Sequence, residues 1–134
     1  MVLAGGYNES SRLSTIELAQ PNAESTTLSV RLPVALSRSC IVAWDNDTFM
    51  VIGGYSRTST NGRSETYFIN IANNEVTNGP NLINERFEHA CSQMIVNGEE
   101  FVVVTGGFGT GKRSTELLSK SNIQNGWQAG NYSV

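Results

Sequence analysis

Histidine occurs once in this 134-residue chain, at His89, and cysteine only twice, at Cys40 and Cys91. A single histidine cannot assemble a His-based metal site, and a Ser-His-Asp triad would have to be built around His89 alone. Two thiols fall far short of a disulfide framework, so both are expected to be buried and free. Charge is scarce as well: 16% of residues are Asp, Glu, Lys or Arg, and the net charge is −3. Nucleic-acid binding normally needs a clustered basic excess to displace counterions, and a net acidic chain argues against it. No apolar run approaches the roughly 18 residues that span a bilayer. The opening Val2-Leu3-Ala4-Gly5-Gly6 has neither the basic nor the long apolar region of a secretory leader. No membrane partner is expected, and the cytoplasm is slightly favoured over secretion. Three N-glycosylation triplets begin at Asn8, Asn46 and Asn131. With 14 Asn and 26 Ser plus Thr, roughly three are expected from composition alone, so they decide nothing.

What the chain does have is a 39% apolar content, enough for a packed core, and an internal repeat. An apolar run closing on a glycine pair occurs three times, at Gly5-Gly6, Gly53-Gly54 and Gly106-Gly107. The spacings are 48 and 53 residues. Glu17 and Glu65 each follow the second glycine by eleven residues, and Glu116 follows Gly107 by nine. A bulky apolar column then recurs at Leu28, Val76 and Trp127, and Cys40 and Cys91 precede the second and third glycine pairs.

This pattern resembles the kelch family over essentially the whole chain. The middle copy matches best, with Gly53-Gly54, Glu65 and Tyr67, Gly79-Pro80, and then Arg86-Phe87-Glu88-His89-Ala90-Cys91 opening the next copy. In the first copy Arg38 takes the place of His89, Ala35 that of Arg86, and Leu28 that of the tryptophan. The resemblance implies an all-β fold, a segment of a kelch-type β-propeller with about three four-stranded antiparallel blades. The units expected are 1–37, lacking its innermost strand, 38–85 and 86–134.

The strands can also be read directly. Met94-Ile95-Val96, Asn97-Gly98 and Glu99 to Val104 form a β-branched hairpin around an Asn-Gly turn. Cys40 to Trp44 and Thr48 to Ile52 repeat it one period earlier, and Tyr67 to Ile71 with Glu75-Val76 gives the second hairpin of a period. With the strands of a unit named a to d, the chain reads b-c-d, a-b-c-d, a-b-c-d: eleven strands. Propellers usually close with four to eight blades, so three cannot complete a ring. The missing first strand suggests a fragment of a longer adaptor or scaffold protein, with further blades from the parent chain or an oligomer completing the ring.

Gly106-Gly107-Phe108-Gly109-Thr110-Gly111-Lys112 imitates a phosphate-binding loop up to its lysine. Arg113 then stands where a Mg²⁺-holding Ser or Thr is needed, and no helical period follows. His89 and the three recurring glutamates are expected to make structural contacts, the glutamates accepting backbone or Arg hydrogen bonds. No catalytic residue, metal or cofactor is expected.

Antiparallel order places the b-c and d-a loops at one end. Arg12, Arg57, Arg63, Lys112 and Arg113 fall in b-c loops, and Arg31, Arg38 and Arg86 in d-a connections. Eight of the nine basic residues therefore gather at that end, with Tyr7, Tyr55 and Phe108 each following a glycine pair. Arg and aromatic side chains dominate interface energies. The expected contact surface for an acidic protein partner is Tyr7, Arg12, Tyr55, Arg57, Arg63, Phe108, Lys112 and Arg113. The alternative is a propeller enzyme, or a lectin-like protein, that acts on or binds a sugar.

Overall fold

The structure, a computed structural model, describes residues 1–133, so Val134, the last position of the unit expected over 86–134, lies outside the described residues. The fold is all-β, built of four antiparallel sheets, none of them closed. The first sheet contains β1 (Val2–Ala4), β2 (Ile16–Leu18) and β3 (Thr26–Thr27), in that order. The second contains β4 (Cys40–Ala43), β5 (Thr48–Ile52), β6 (Thr66–Asn70) and β7 (Glu75–Asn78), again in chain order. A short strand β8 (Arg86–Phe87) follows, then β9 (Ala90–Val96) and β10 (Glu99–Thr105). Next come β11 (Phe108–Gly109), β12 (Ser114–Ser119) and β13 (Gln128–Ser133). The third sheet has the order β9-β10-β12-β13, and β8 pairs with β11 outside it. The described strands thus number thirteen rather than eleven. The two additional strands arise because the segment entering the third sheet hydrogen-bonds to the loop after its glycine pair, a pairing between loops that period-2 patterning does not reveal.

The hairpin at Asn97-Gly98 forms as its turn chemistry dictates, with both residues at positive φ, 52° and 79°. Strand β5 shows how the sheets stack. Met50, Val51 and Ile52 are all buried, so both of its faces are covered. Val51, Tyr67 and Ile69 join Val2, Ile16, Leu32 and Leu36 in one apolar layer between the first and second sheets. Met50, Ile52 and Leu82 join Val102, Val104, Leu118 and Trp127 in another, between the second and third. Each such side chain contributes about 1.5–3 kcal/mol on burial, and the layers are what hold the sheets together. The outward faces at the two ends have no such cover: Leu3 is 45% exposed on the first sheet and Met94 40% exposed on the third.

Cys40 and Cys91 are not free thiols but a disulfide between β4 and β9, with Cα atoms 6.0 Å apart and a sequence separation of 51. Cys40 pairs across β4 with Ile52, and Cys91 across β9 with Val104; both of those partners lie in the layer between the second and third sheets. The bridge therefore ties the two sheets together at their edge strands, beside that layer.

Backbone register corrects several correspondences. Gly6 N–H donates to Leu36 and Gly54 N–H to Arg86, so Leu36, not Ala35, stands where Arg86 stands one unit later. Arg38 and Glu88 then correspond, each at positive φ (58° and 53°), which sets Ser39 opposite His89 in the comparison. Leu28 and Gly79 correspond, because their N–H groups donate to Ile16 and Thr66, the matching positions of β2 and β6. Leu28 still packs against the first layer. Glu17, Tyr67 and Glu116 share one register position, opposite Leu3, Val51 and Val104, and Glu65 lies two residues earlier.

Candidate functional site

The loops that follow the three glycine pairs carry the candidate surface. In the first, Asn8 Oδ1 accepts hydrogen bonds from the backbone N–H groups of Ser10 (3.0 Å) and Ser11 (2.8 Å). This Asx turn folds the chain back so that Tyr7 and Arg12 bridge antiparallel. The Arg12 guanidinium consequently lies 5.9 Å from the Tyr7 ring centre and 4.6 Å from that of Tyr55. Tyr55 is placed by a backbone bridge to Ser37, the residue just before Arg38, whose guanidinium is 6.0 Å from the same ring. The Tyr55 ring meets Phe87 edge-on at 5.0 Å, and Phe87 stacks on Phe108 at 5.6 Å. Tyr7, Arg12, Tyr55, Phe87 and Phe108 thus form a continuous row across loops belonging to all three large sheets.

The sequence reading missed Phe87. Its signal is positional: Phe87 corresponds to Ser37, and both pair with the residue that follows a glycine pair. Tyr7 and Phe108 end the row and are 63% and 57% exposed.

The remaining expected contact residues are placed differently. Arg57 is exposed and lines a cavity with Tyr7, Ser10, Ser11, Arg12 and Ala35. A second cavity, lined by Gly6, Tyr7, Arg12, Ser37 and Arg38, shares Arg12 with it. Arg63 is committed within the chain, donating from Nε (3.0 Å) and Nη2 (2.6 Å) to the two oxygens of Glu65. Lys112 and Arg113 are exposed in the loop between β11 and β12 and take no part in the aromatic row.

Arg86 does not belong to the basic surface. It is fully buried, with Nη2 2.7 Å from Glu116 Oε1 and 2.8 Å from Ser114 Oγ, and Nη1 3.0 Å from the carbonyls of Gly106 and Ser114. Glu116 also accepts the backbone N–H groups of Ile83 (2.6 Å) and Asn84 (3.1 Å), tying the entering segment to β12. Together with Arg38–Glu88 and Arg63–Glu65, this pair neutralises much of the basic end. Arg12, Arg31, Arg57, Lys112 and Arg113 make no ion pair among the described residues.

The glycine-rich run imitating a phosphate loop has a packing explanation. A Cβ at Gly107 would come within 2.5 Å of the Phe87 carbonyl oxygen, and one at Gly111 within 2.5 Å of Arg86 Nη2. The glycines wrap the buried Arg86 segment, and β12 rather than a helix follows. His89 lies in the same place, with neither ring nitrogen hydrogen-bonded. Burial first, and the Arg86 charge second, push its pKa down to about 4, only partly offset by the nearby Ile52 backbone, which lies outside good hydrogen-bond geometry. Among the described residues no cluster of His, Cys, Asp and Glu could hold a metal ion. Among the described residues no helix is long and apolar enough to cross a membrane.

No protein-family model matches the chain, and no curated protein is similar to it.

Proposed function

We propose that this chain is a segment of a kelch-like propeller, its three large sheets being three consecutive blades, and that it binds a protein partner without catalysing a reaction. The row from Tyr7 through Arg12, Tyr55 and Phe87 to Phe108 carries this reading, because it joins loops of all three sheets into one surface of Arg and aromatic side chains. Such side chains supply large contact area at small entropic cost. Arg57, Lys112 and Arg113 extend the surface; Arg63 contributes mainly by holding Glu65. The glutamates that recur in sequence have separate structural tasks, with Ser25, Arg63 and Arg86 as their respective partners. This supports a binding role over acid/base chemistry. The Cys40–Cys91 bridge favours an oxidising compartment over the cytoplasm.

A test compares the parent protein with a Tyr7→Ala, Tyr55→Ala, Phe108→Ala variant in affinity capture from its native source, followed by reconstitution of each capture with purified components. A Glu99→Lys, Glu100→Lys variant, altered at the opposite turns, is the control. Loss of a reconstituted partner from the first variant alone supports the reading, and equal binding by all three proteins removes it.

A sugar-binding reading has one observation in its favour. A cavity lined by Thr58, Ser59, Thr60, Asn61, Arg63, Ser64, Glu65 and Glu85 is polar and rich in hydroxyl groups. Retention on immobilised neutral glycans, abolished by Glu85→Ala, would establish it.

A further inference from the structure

We infer that Arg12 anchors a carboxylate-binding site and that its occupant is an acidic segment of a protein partner; this rests on the protein-binding reading above. Arg38, Arg63, Arg86 and Lys120 each have a glutamate within 3.0 Å. Arg12 has none among the described residues, although it is partly buried and held in place by two aromatic rings. A guanidinium lying over a ring keeps its N–H donors in its own plane, directed away from that ring and available to a planar acceptor. Arg12 makes no side-chain hydrogen bond within the described chain. Its Nε is shielded from solvent without a partner, whereas the terminal Nη atoms are not so enclosed. The Nη1–Nη2 edge is therefore a two-donor fork with no acceptor among the described residues.

The surroundings determine what fits it. Arg12 is the shared wall of two cavities, one bounded by Arg38 and the other by Arg57, with Tyr7 lining both. Each cavity thus presents two cations and an aromatic surface, which suits a carboxylate on a short aliphatic stem. A carboxylate is planar and pairs with guanidinium in two parallel hydrogen bonds. Among the described residues Arg38 is ion-paired only with Glu88, and that pair is exposed, with side chains 55% and 41% accessible. An incoming acid can exchange with Glu88 there at little cost. Two cavities sharing one arginine accommodate two acidic side chains of one extended segment, which separates a peptide from an isolated small anion.

The experiment uses the full chain and three probes: an end-blocked Glu-Gly-Glu-Gly-Glu peptide, its Gln counterpart and a short oligogalacturonate. Binding is followed through the Arg12 Nε–Hε resonance and by fluorescence anisotropy. Saturable, salt-sensitive binding of the Glu peptide that moves this resonance is expected, with no response to the Gln peptide. Arg12→Gln and Arg12→Lys should each weaken binding about tenfold or more, since lysine restores charge but not the planar fork. Arg31→Gln, outside the site, should bind normally. Unaltered peptide binding by a folded Arg12→Lys, or a wild-type resonance unmoved by the peptide, overturns the inference; so does binding of oligogalacturonate alone, which assigns the fork to carboxylated sugars. A reconstituted partner insensitive to Arg12 but lost from the aromatic triple variant would remove this site and leave the protein-binding reading standing. Peptide binding at Arg12 with no partner dependent on the surface would do the reverse.

Discussion

Arg86 and Glu116 meet at 2.7 Å with both side chains withdrawn from solvent, and the corresponding places one unit earlier hold Leu36 and Tyr67. One framework therefore fills the same position once with an ion pair and once with apolar residues of the first layer. Breaking a buried pair leaves one charge desolvated and unpaired, whereas replacing both partners by apolar groups is often nearly neutral. Glu116→Gln should thus lower stability by about 3–5 kcal/mol, and Arg86→Leu with Glu116→Tyr should recover most of that loss. Urea unfolding of the single and double variants checks this. A double variant as unstable as the sum of its singles would show that the two places are not interchangeable.

The disulfide closes a loop of about fifty residues across two sheets, so the Cys40→Ala, Cys91→Ala variant should lose about 4 kcal/mol, mainly through a less restricted unfolded chain. Thermal melting with and without reductant measures it. The unreduced wild type should also give no reaction with a thiol reagent under denaturing conditions, and stoichiometric labelling would contradict the bridge.

His89 is held neutral in the fold, with a pKa of about 4 against an ordinary value of 6.5. The unfolded chain binds this proton more readily. The stabilisation is therefore complete above pH 6.5, declines as pH falls below it, and is gone below about 4, a change on the order of 3 kcal/mol. His89→Phe should flatten the stability profile between those limits. Parallel wild-type and variant profiles across pH 4–6.5 would refute the assignment.

Gly111→Ala should destabilise the fold by about 1–3 kcal/mol, because the added methyl would crowd the Arg86 guanidinium. Lys112→Ala, at an exposed position of the same run, should change stability by less than about 0.5 kcal/mol. Neither wild type nor variant should bind ATP in calorimetry. Nucleotide binding lost on Lys112→Ala would restore the phosphate-loop reading.

Local chemistry made much of the fold legible. Asn97-Gly98 between β-branched runs specifies its hairpin, since few other pairs tolerate positive φ at both positions. The apolar runs before the glycine pairs mark β1, β5 and β10: β5, central in its sheet, needs apolar side chains on both faces, while β1 at a sheet edge buries Val2 and leaves Leu3 exposed. Tyr7, Tyr55 and Phe108 could be picked out by their place after a glycine pair. Phe87 is marked only by its register position opposite the residue after a glycine pair, because its partner Phe108 lies in a different loop and no spacing within either loop links them.

Arg86 shows the limit most clearly. As an arginine in a connection between strands, it reads from sequence as part of a solvated basic surface. Only the folding of β12 beside that connection brings Glu116, Ser114 and two carbonyls around the guanidinium and makes an interior site for it. Arg63 is a local case, its charge met by Glu65 two residues along the chain rather than left for a partner.

Residue order by itself determined the eleven strands of the three large sheets and their antiparallel hairpins, though not the β8–β11 pair, since alternation, turn residues and glycine act over a few neighbouring positions. Tertiary structure alone decided which charges are buried, that Cys40 and Cys91 join, and that Arg12 lies between Tyr7 and Tyr55 with no acid of its own. Those outcomes depend on the approach of segments 30 or more residues apart, a distance over which a one-dimensional pattern carries no information about who meets whom.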